Sequence, residues 1–443
     1  MAGSRARFSL VEYGAPVDLC KDIANAAGVD RARAAQILLD AGNRAAGSLG
    51  FSYNPIGIDA RGVRAIDFAG LIRLGPSLEL EVAPKFLGLD DVVARWREDF
   101  FFLSTLSRHG SLLASERLSA SGGAPRDLST LLARSMASMY QARKRRPLRS
   151  YRRVKESDFF IDGDPDPTDL IFTSPDGFEQ EVTLFDRRNP WNGAIHAAAN
   201  ELLPEVGDPA IASGLVRMIE DLAPQSRSDG YSRKPIPARH RAWSPLHDLS
   251  VDVLNGLGMS YKQGHAHAPG YLVSTWQIWE DLLTIACRLG FGRAAVSTQK
   301  GFALGARSKF VAGSKPSTVS VFPDCVIESD GIRPKFLLDA KYKGHVEKGV
   351  LRIAEADVYE SLAFAKATGC GLIVLAYPAL PDASPLPPGS CSAFERVDID
   401  GARIVGVQVE TRAISKSGAL LRFAANLSQQ LPVAAASNQT SSL

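Results

Sequence analysis

The chain has 443 residues, 45% of them apolar and 22% charged, and its formal net charge is +3. A chain of that length outgrows a single hydrophobic core, so two or three domains are expected. No stretch approaches the roughly 18 apolar residues that span a bilayer, which argues against membrane insertion, and balanced charge leaves any nucleic-acid contact to local basic clusters.

The first residues, MAGSRARFSLVEYGAP, lack the apolar core and small-residue cleavage site of a secretory signal. Cys20, Cys287, Cys325, Cys370 and Cys391 are odd in number and widely spaced, with no CxxC or CxxH pair. Together these features predict a cytoplasmic protein with reduced thiols and give no support to structural zinc.

In chain order, residues 17–48 read as helical and are followed by short strands through about residue 86. In LELEVAPKF, Leu78, Leu80 and Val82 alternate with Glu79 and Glu81, the period of a half-buried strand that Pro84 stops. From Leu89 to about Arg146 the pattern is helical, interrupted by the loop SASGGAPRD. The stretch YRRVKESDFFIDGDPDPTDLIFTSPDG gives short strands broken by Asp, Gly and Pro, NGAIHAAANELLP a helix, and PQSRSDGYSRKPIPARHRAW an exposed basic loop. Two basic clusters stand out, one containing Arg143, Lys144, Arg145 and Arg146, the other Arg233 and Lys234. Each reads either as a solvated basic face or as a set of phosphate contacts. The polar tail NLSQQLPVAAASNQTSSL is expected to be disordered.

The chemistry-bearing stretch begins at STWQIWEDLLTIACRLG, a predicted helix with Ser274 and Gln277 as a capping box and Gly290 as a stop. Trp276, Glu280, Leu283 and Cys287 are spaced to share one face, which places a carboxylate in an apolar stripe that asks for a compensating hydrogen bond, cation or metal. Downstream, STVSVFPDCVIES and RPKFLLDAKYKG predict two antiparallel strands about a turn at Ser329, Asp330 and Gly331. Asp339 and Lys341, two residues apart, fall on one face of the second strand, with Leu338, Ala340 and Tyr342 on the other. Asp324 comes near Asp339 if the strands bend or splay at Pro323. VLRIAEADVYESLAFAKATG then predicts a helix ending at Gly369, GLIVLAYP an interior strand, and RIVGVQVETR a further strand.

Two aspartates and a lysine on one sheet face, with Glu280 from a packed helix, supply hard oxygen ligands and one point cation. Such a set suits Mg2+ or Mn2+, with the Ala340 carbonyl as a further ligand, and it has the parts that phosphodiester hydrolysis needs. The structural alternative is a surface ion pair between Asp339 and Lys341, with Asp324 as a turn residue.

At this point the residues resemble the McrC family, the nuclease subunits of modification-dependent McrBC restriction systems, whose site is of the PD-(D/E)xK type. The resemblance runs through WQIWEDLL, FPDCVIES, FLLDAKYKG and DVYESLAFA, and upstream through GLIRLGPSLELEVAPKF and RPLRSYRRVKESDFFIDGD. It implies that Asp324, Asp339 and Lys341 are catalytic, with Glu280 as a further acid, and that Lys343 and Tyr359 occupy family positions. Two departures are Phe322, where the family often has a basic residue, and Glu360, where Gln is usual. The resemblance also implies a partner, a McrB-like AAA+ GTPase forming a hexameric ring that translocates double-stranded DNA. No GxxxxGK(S/T) loop occurs in this chain, so nucleotide hydrolysis is expected from the other subunit.

The expected architecture is α/β: a C-terminal restriction-endonuclease-like mixed sheet flanked by helices at 249–424, an α+β N-terminal domain at 1–115 that the resemblance makes the partner-engaging part, a helical and β connecting region with basic loops at 116–248, and a disordered tail at 425–443. The expected function is a Mg2+- or Mn2+-dependent DNA endonuclease subunit of an anti-phage restriction complex. Alternatives are a non-catalytic adaptor that binds DNA and activates an AAA+ ring, or a stand-alone restriction nuclease. DNA contacts are expected at Lys343, Arg143, Lys144, Arg145, Arg146, Arg233 and Lys234.

Overall fold

The computed structural model of the chain describes residues 6–75, 78–89, 95–109, 128–168, 171–172, 175–206, 208–222, 235–254, 271–310, 315–328, 334–347, 350–379, 387–416 and 418–436. The chain divides into two compact units, one formed by residues 4–126 with 272–443, the other by residues 127–271. The boundaries expected from the sequence, at residues 115, 248 and 424, fall elsewhere. Long-range strand pairing accounts for the difference, because the N-terminal sheet takes its last strand, Tyr271–Ser274, from immediately before the Thr275–Gly290 helix.

That sheet has the order Ala6–Val11, Leu78–Ala83, Phe68–Gly75, Tyr271–Ser274. Its first pair is parallel, with Ala6 opposite Leu78, and its second antiparallel. The half-buried strand expected at 78–83 is in fact buried on both faces, Glu79 and Glu81 included. Burying two carboxylates requires partners, and Arg7 meets Glu79 at 2.5 Å while Arg97 takes Glu81. The helical stretch at 17–48 is two helices, Leu19–Ala27 and Arg31–Leu49. Gly28 closes the first in a left-handed conformation, and Asp30 caps the second by accepting from Arg33 N at 2.7 Å.

The main sheet of the same unit has six strands, ordered Val296–Thr298, Cys325–Ile327, Phe336–Ala340, Leu372–Pro378, Ala402–Val409, Cys391–Ile399. It is mixed: Phe336–Ala340 pairs antiparallel with Cys325–Ile327 and parallel with Leu372–Pro378. Val326, Leu337, Ile373, Leu375 and Ile404 form its apolar core with Phe364 of the Glu355–Thr368 helix. The single strand expected through STVSVFPDCVIES, with a bend or splay at Pro323, is two, because Pro323 offers no N–H to a ladder. Ser317–Val321 pairs instead with Phe302–Arg307 in a separate two-stranded sheet.

The expected disordered tail also needs correction. A helix spans Ala419–Ala436, and Phe423, Leu427 and Leu431, four residues apart, are each 0% exposed. That spacing is an apolar stripe, which gives the segment a face to bury. The Thr275–Gly290 helix comes close to it at Gly290, where an added Cβ would meet the Ala424 carbonyl at 2.5 Å. Residues 437–443 lie outside the described residues.

The unit of residues 127–271 contains the helices Leu128–Arg143, Pro190–Leu202, Pro209–Leu222 and Ser244–Leu254. Its antiparallel sheet has the order Ser150–Asp158, Phe178–Asp186, Asp164–Pro165. Leu132, Met136, Ile195, Leu215, Met218 and Leu246 are among its buried apolar residues. Among the described residues no helix is long and apolar enough to cross a membrane.

Candidate active site

Asp324 stands at a break, between the strands Ser317–Val321 and Cys325–Ile327, so its side chain is not committed to a ladder face. The register that sets Cys325 opposite Leu338 brings it beside Ala340, whose N–H donates to Asp324 Oδ2 at 2.8 Å. Asp339 is buried in the neighbouring strand. Lys341, on the same face, holds its Nζ 2.7 Å from Asp339 Oδ2. The same ammonium donates to Glu360 Oε2 at 2.5 Å and lies 3.6 Å from Asp357 Oδ1. Those two acids are three residues apart on the Glu355–Thr368 helix and so share a face.

Glu280 joins from the Thr275–Gly290 helix, although not from the apolar stripe. The buried face of that helix runs through Ile278, Trp279, Leu282, Leu283, Ala286 and Cys287, while Trp276 is 47% exposed. Glu280 therefore lies on the flank, half-buried, where a carboxylate keeps part of its hydration. The expected capping box does not form either, since Ser274 precedes the helix without a side-chain cap.

Gln299 completes the cluster and has no counterpart in the sequence reading. Its Nε2 donates to Glu280 Oε1 at 2.8 Å and to Asp324 Oδ1 at 3.0 Å, bridging helix and strand. It does so from a left-handed backbone, with φ of 51°, just after the strand Val296–Thr298. A lone glutamine between a strand and a Lys-Gly pair carries no motif, and only that uncommon backbone conformation distinguishes it.

Electrostatics follow from burial first and from crowding second. Burial pushes the Asp324 carboxyl up to about 6, the nearby Glu280 charge adds to the effect, and the Ala340, Lys341 and Gln299 contacts oppose it. Burial likewise pushes Asp339 up to about 6, with Asp324 and Glu360 adding and Lys341 opposing. Glu280 is raised as well, by burial and then by Asp281 and Asp339. For Lys341, burial works against the charge, but Asp339 and Glu360 outweigh it and hold the ammonium above its ordinary value.

The structure thus brings together Glu280, Asp324, Asp339, Ala340 and Lys341. Among the described residues no three His, Cys, Asp or Glu side chains already stand as a ready metal cage. The donor set nevertheless fits a hard divalent cation, because Glu280 and Asp324 are crowded, raised carboxylates bridged by the Gln299 amide.

The other expected contacts are not members of this cluster. Lys343 ion-pairs with Asp67 at 3.1 Å. Arg143 turns inward and donates to the carbonyls of Ala242 and Met139. Lys144 and Arg145, with Arg149, Arg187 and Arg217, line a pocket of about 640 Å3 in the unit of residues 127–271. Its one acid, Asp221, already accepts from Tyr140 and Arg187. Arg146 is exposed, and Arg233 and Lys234 lie outside the described residues. Tyr359 and Phe322, 67% and 53% exposed, present large aromatic surfaces to solvent.

Comparison with known proteins places the chain in a family. The sequence profile described as McrBC 5-methylcytosine restriction system component matches residues 63–378. No curated protein matches the chain. Among solved structures, a chain of the half-complex of Thermococcus gammatolerans McrB AAA+ hexamers with bound McrC is similar, with a TM-score of 0.69 at 13% identity, covering 97% of this chain and 100% of that one. A chain of the Thermococcus gammatolerans McrBC complex gives a TM-score of 0.47 at 13% identity, covering 62% of this chain and 85% of that one.

The raised Asp324 has a measurable consequence for stability. A carboxyl held at about 6, against an ordinary 3.8, binds its proton more tightly in the folded state, so ionisation costs stability as pH rises from about 4 to about 6 and the full cost persists above. Asp324→Asn keeps an acceptor for Ala340 N and removes the charge. In metal-free buffer its Tm should exceed that of the wild type by a few degrees at about pH 7.5 and match it at about pH 4, as read by scanning calorimetry. Equal melting at the higher pH would contradict the assignment.

Proposed function

The chain belongs to the family of McrBC 5-methylcytosine restriction system components, and from that premise we propose that it is the McrC-like nuclease subunit. Its C-terminal mixed sheet is then a PD-(D/E)xK core, and its activity the hydrolysis of phosphodiester bonds in double-stranded DNA. The observation that carries this reading is the convergence of Asp324, Asp339 and Lys341 from two paired strands, with Glu280 tied to them through Gln299. A surface ion pair does not account for it, since Asp339 is only 5% exposed and burial of a charge needs a reason.

Asp324, Asp339 and Glu280, with the Ala340 carbonyl, would hold Mg2+ or Mn2+. Bound there, the ion supplies Lewis acidity at a phosphoryl oxygen and makes water more acidic. The chain's own groups supply orientation. Lys341 is kept charged by Asp339 and Glu360 and spends two of its three donors on them, which leaves one to aim water or to meet negative charge developing on phosphate. Gln299 fixes the relative rotation of Glu280 and Asp324. Glu360, where the family usually has Gln, adds a full negative charge beside the lysine.

The likeness to a chain from McrB hexamers that hold McrC supports an AAA+ McrB-like GTPase ring as the partner. With no phosphate-binding loop of its own, the chain would leave nucleotide hydrolysis to that ring in the cytoplasm. The pocket around Lys144 and Arg145 offers cations without a free acid, which suits the phosphate backbone.

Two experiments test this function. With the partner ring, nucleotide and Mg2+, plasmid DNA containing 5-methylcytosine should be cut, and EDTA should stop it. Asp339→Ala should abolish cutting, and Lys341→Ala should slow it about 100-fold or more, with assembly intact. Unchanged cutting by Asp339→Ala would sink the site. For the basic pocket, the double change Lys144→Ala and Arg145→Ala should weaken DNA binding uniformly across sequences and reduce the slope of log affinity against log salt by about two. An unaltered slope would remove the pocket from the DNA path.

A further inference from the structure

Both elements that carry the candidate site lead to one buried residue of the N-terminal segment. Glu12 follows the strand Ala6–Val11 and is 0% exposed. Its carboxylate accepts from Thr275 Oγ1 at 2.5 Å, from the Tyr342 hydroxyl, and more weakly from Lys85 N at 3.4 Å. Thr275 is the first residue of the helix that bears Glu280. Tyr342 directly follows Lys341. The Lys85 ammonium donates to the Tyr342 carbonyl and lies 4.2 Å from that ring's centre. One carboxylate therefore fixes the start of the glutamate helix and the end of the aspartate-lysine strand at once. A second link runs in parallel, since the Ala376 carbonyl accepts from both Trp279 Nε1 and Lys341 N, at 3.0 and 2.9 Å.

The geometry points to Glu12 as a positioning residue of the nuclease site, one that registers the Glu280 helix against the Lys341 strand from the N-terminal sheet. The inference rests on the nuclease reading. Glu12 makes no contact with Glu280, Asp324, Asp339 or Lys341 in the described structure, and its effect passes through Thr275 and Tyr342. Filling the volume does not require an acid, because a hydrocarbon of similar size often packs as well in place of a buried charge. What a hydrocarbon lacks is two acceptor oxygens for two hydroxyls from different elements. Burial pushes the carboxyl up to about 7, and the Thr275, Tyr342 and Lys85 contacts pull against that rise.

The position matters because catalytic groups must be placed to within a fraction of an ångström, and a misplacement of about 1 Å can cost about 100-fold in rate. Tyr13, beside Glu12, extends the same contacts outward. Its hydroxyl donates to Asp67, which also pairs with Lys343. The D-x-K-Y-K segment is thus gripped from the N-terminal side at Tyr342 and Lys343, while Asp339 and Lys341 face the carboxylate cluster.

The test uses the full chain with its AAA+ partner, Mg2+ and 5-methylcytosine plasmid. Glu12→Leu should lower kcat about 100-fold with KM within about two-fold, because remote positioning acts on the chemistry and not on DNA capture. Glu12→Gln keeps an acceptor and can exchange donor roles with a hydroxyl, so it should recover most of the rate. Hydrogen exchange should quicken at residues 275–281 and 339–343 together in Glu12→Leu, and at both again in Thr275→Val and in Tyr342→Phe, which serve if Glu12→Leu does not fold. Wild-type kcat in the folded Leu variant, or exchange unchanged in either segment, overturns the proposal. If the wild-type complex itself cuts nothing, the nuclease reading fails separately, and the paired exchange response alone decides whether Glu12 couples the two elements.

Discussion

The amide of Ala340 donates to the carboxylate of Asp324, and that bond forms because the preceding strand stops at Pro323. Proline has no N–H to give a ladder, so Ser317–Val321 leaves for a separate sheet while Cys325–Ile327 stays in the main one. Asp324 sits at the parting of the two. Had the strand continued flat, its side chain would be fixed to one face by the alternation of the pleat. The break frees it to turn toward Ala340, with Asp339 and Lys341 on either side, and the rest of the cluster builds on that turn.

Local chemistry was legible in the sequence wherever it depended on spacing. The two-residue interval between Asp339 and Lys341 placed them on one face, and Gly369 ended its helix where a left-handed residue was needed, with φ of 68°. Partners remote in sequence were not legible. Glu79 and Glu81 looked solvent-facing because nothing local announces Arg7 and Arg97. Glu280 looked central to an apolar stripe because a 3.6-residue period fixes which residues share a face but not how far the burial reaches around it. The helix after Ala424 was hidden by polar neighbours, although Phe423, Leu427 and Leu431 carry its apolar spacing. Gln299 was invisible for another reason: its role arises from a backbone turn and two distant acids, neither of which has a signature in its own neighbourhood.

Burying these acids costs stability, their crowding adds to the cost, and the raised carboxyls of Asp324 and Asp339 are its thermodynamic trace. Sites that bind and react commonly hold groups in arrangements that a purely structural core would avoid. The surroundings are built to sustain it: Ala340 N, Gln299 and Lys341 each offset part of the repulsion, and the N-terminal sheet grips the same strand from its other side through Glu12. The N-terminal segment and the C-terminal sheet accordingly form one compact unit.

The central claim, that these acids are a divalent-metal site, is tested most directly by locating the metal. Crystals of the chain equilibrated with Mn2+ and measured by anomalous diffraction should show a peak within ligand distance of the Asp324 and Asp339 carboxylates, about 2.2 Å, and the peak should vanish in Asp339→Asn. Manganese bound only elsewhere, or a peak indifferent to that substitution, would contradict the account.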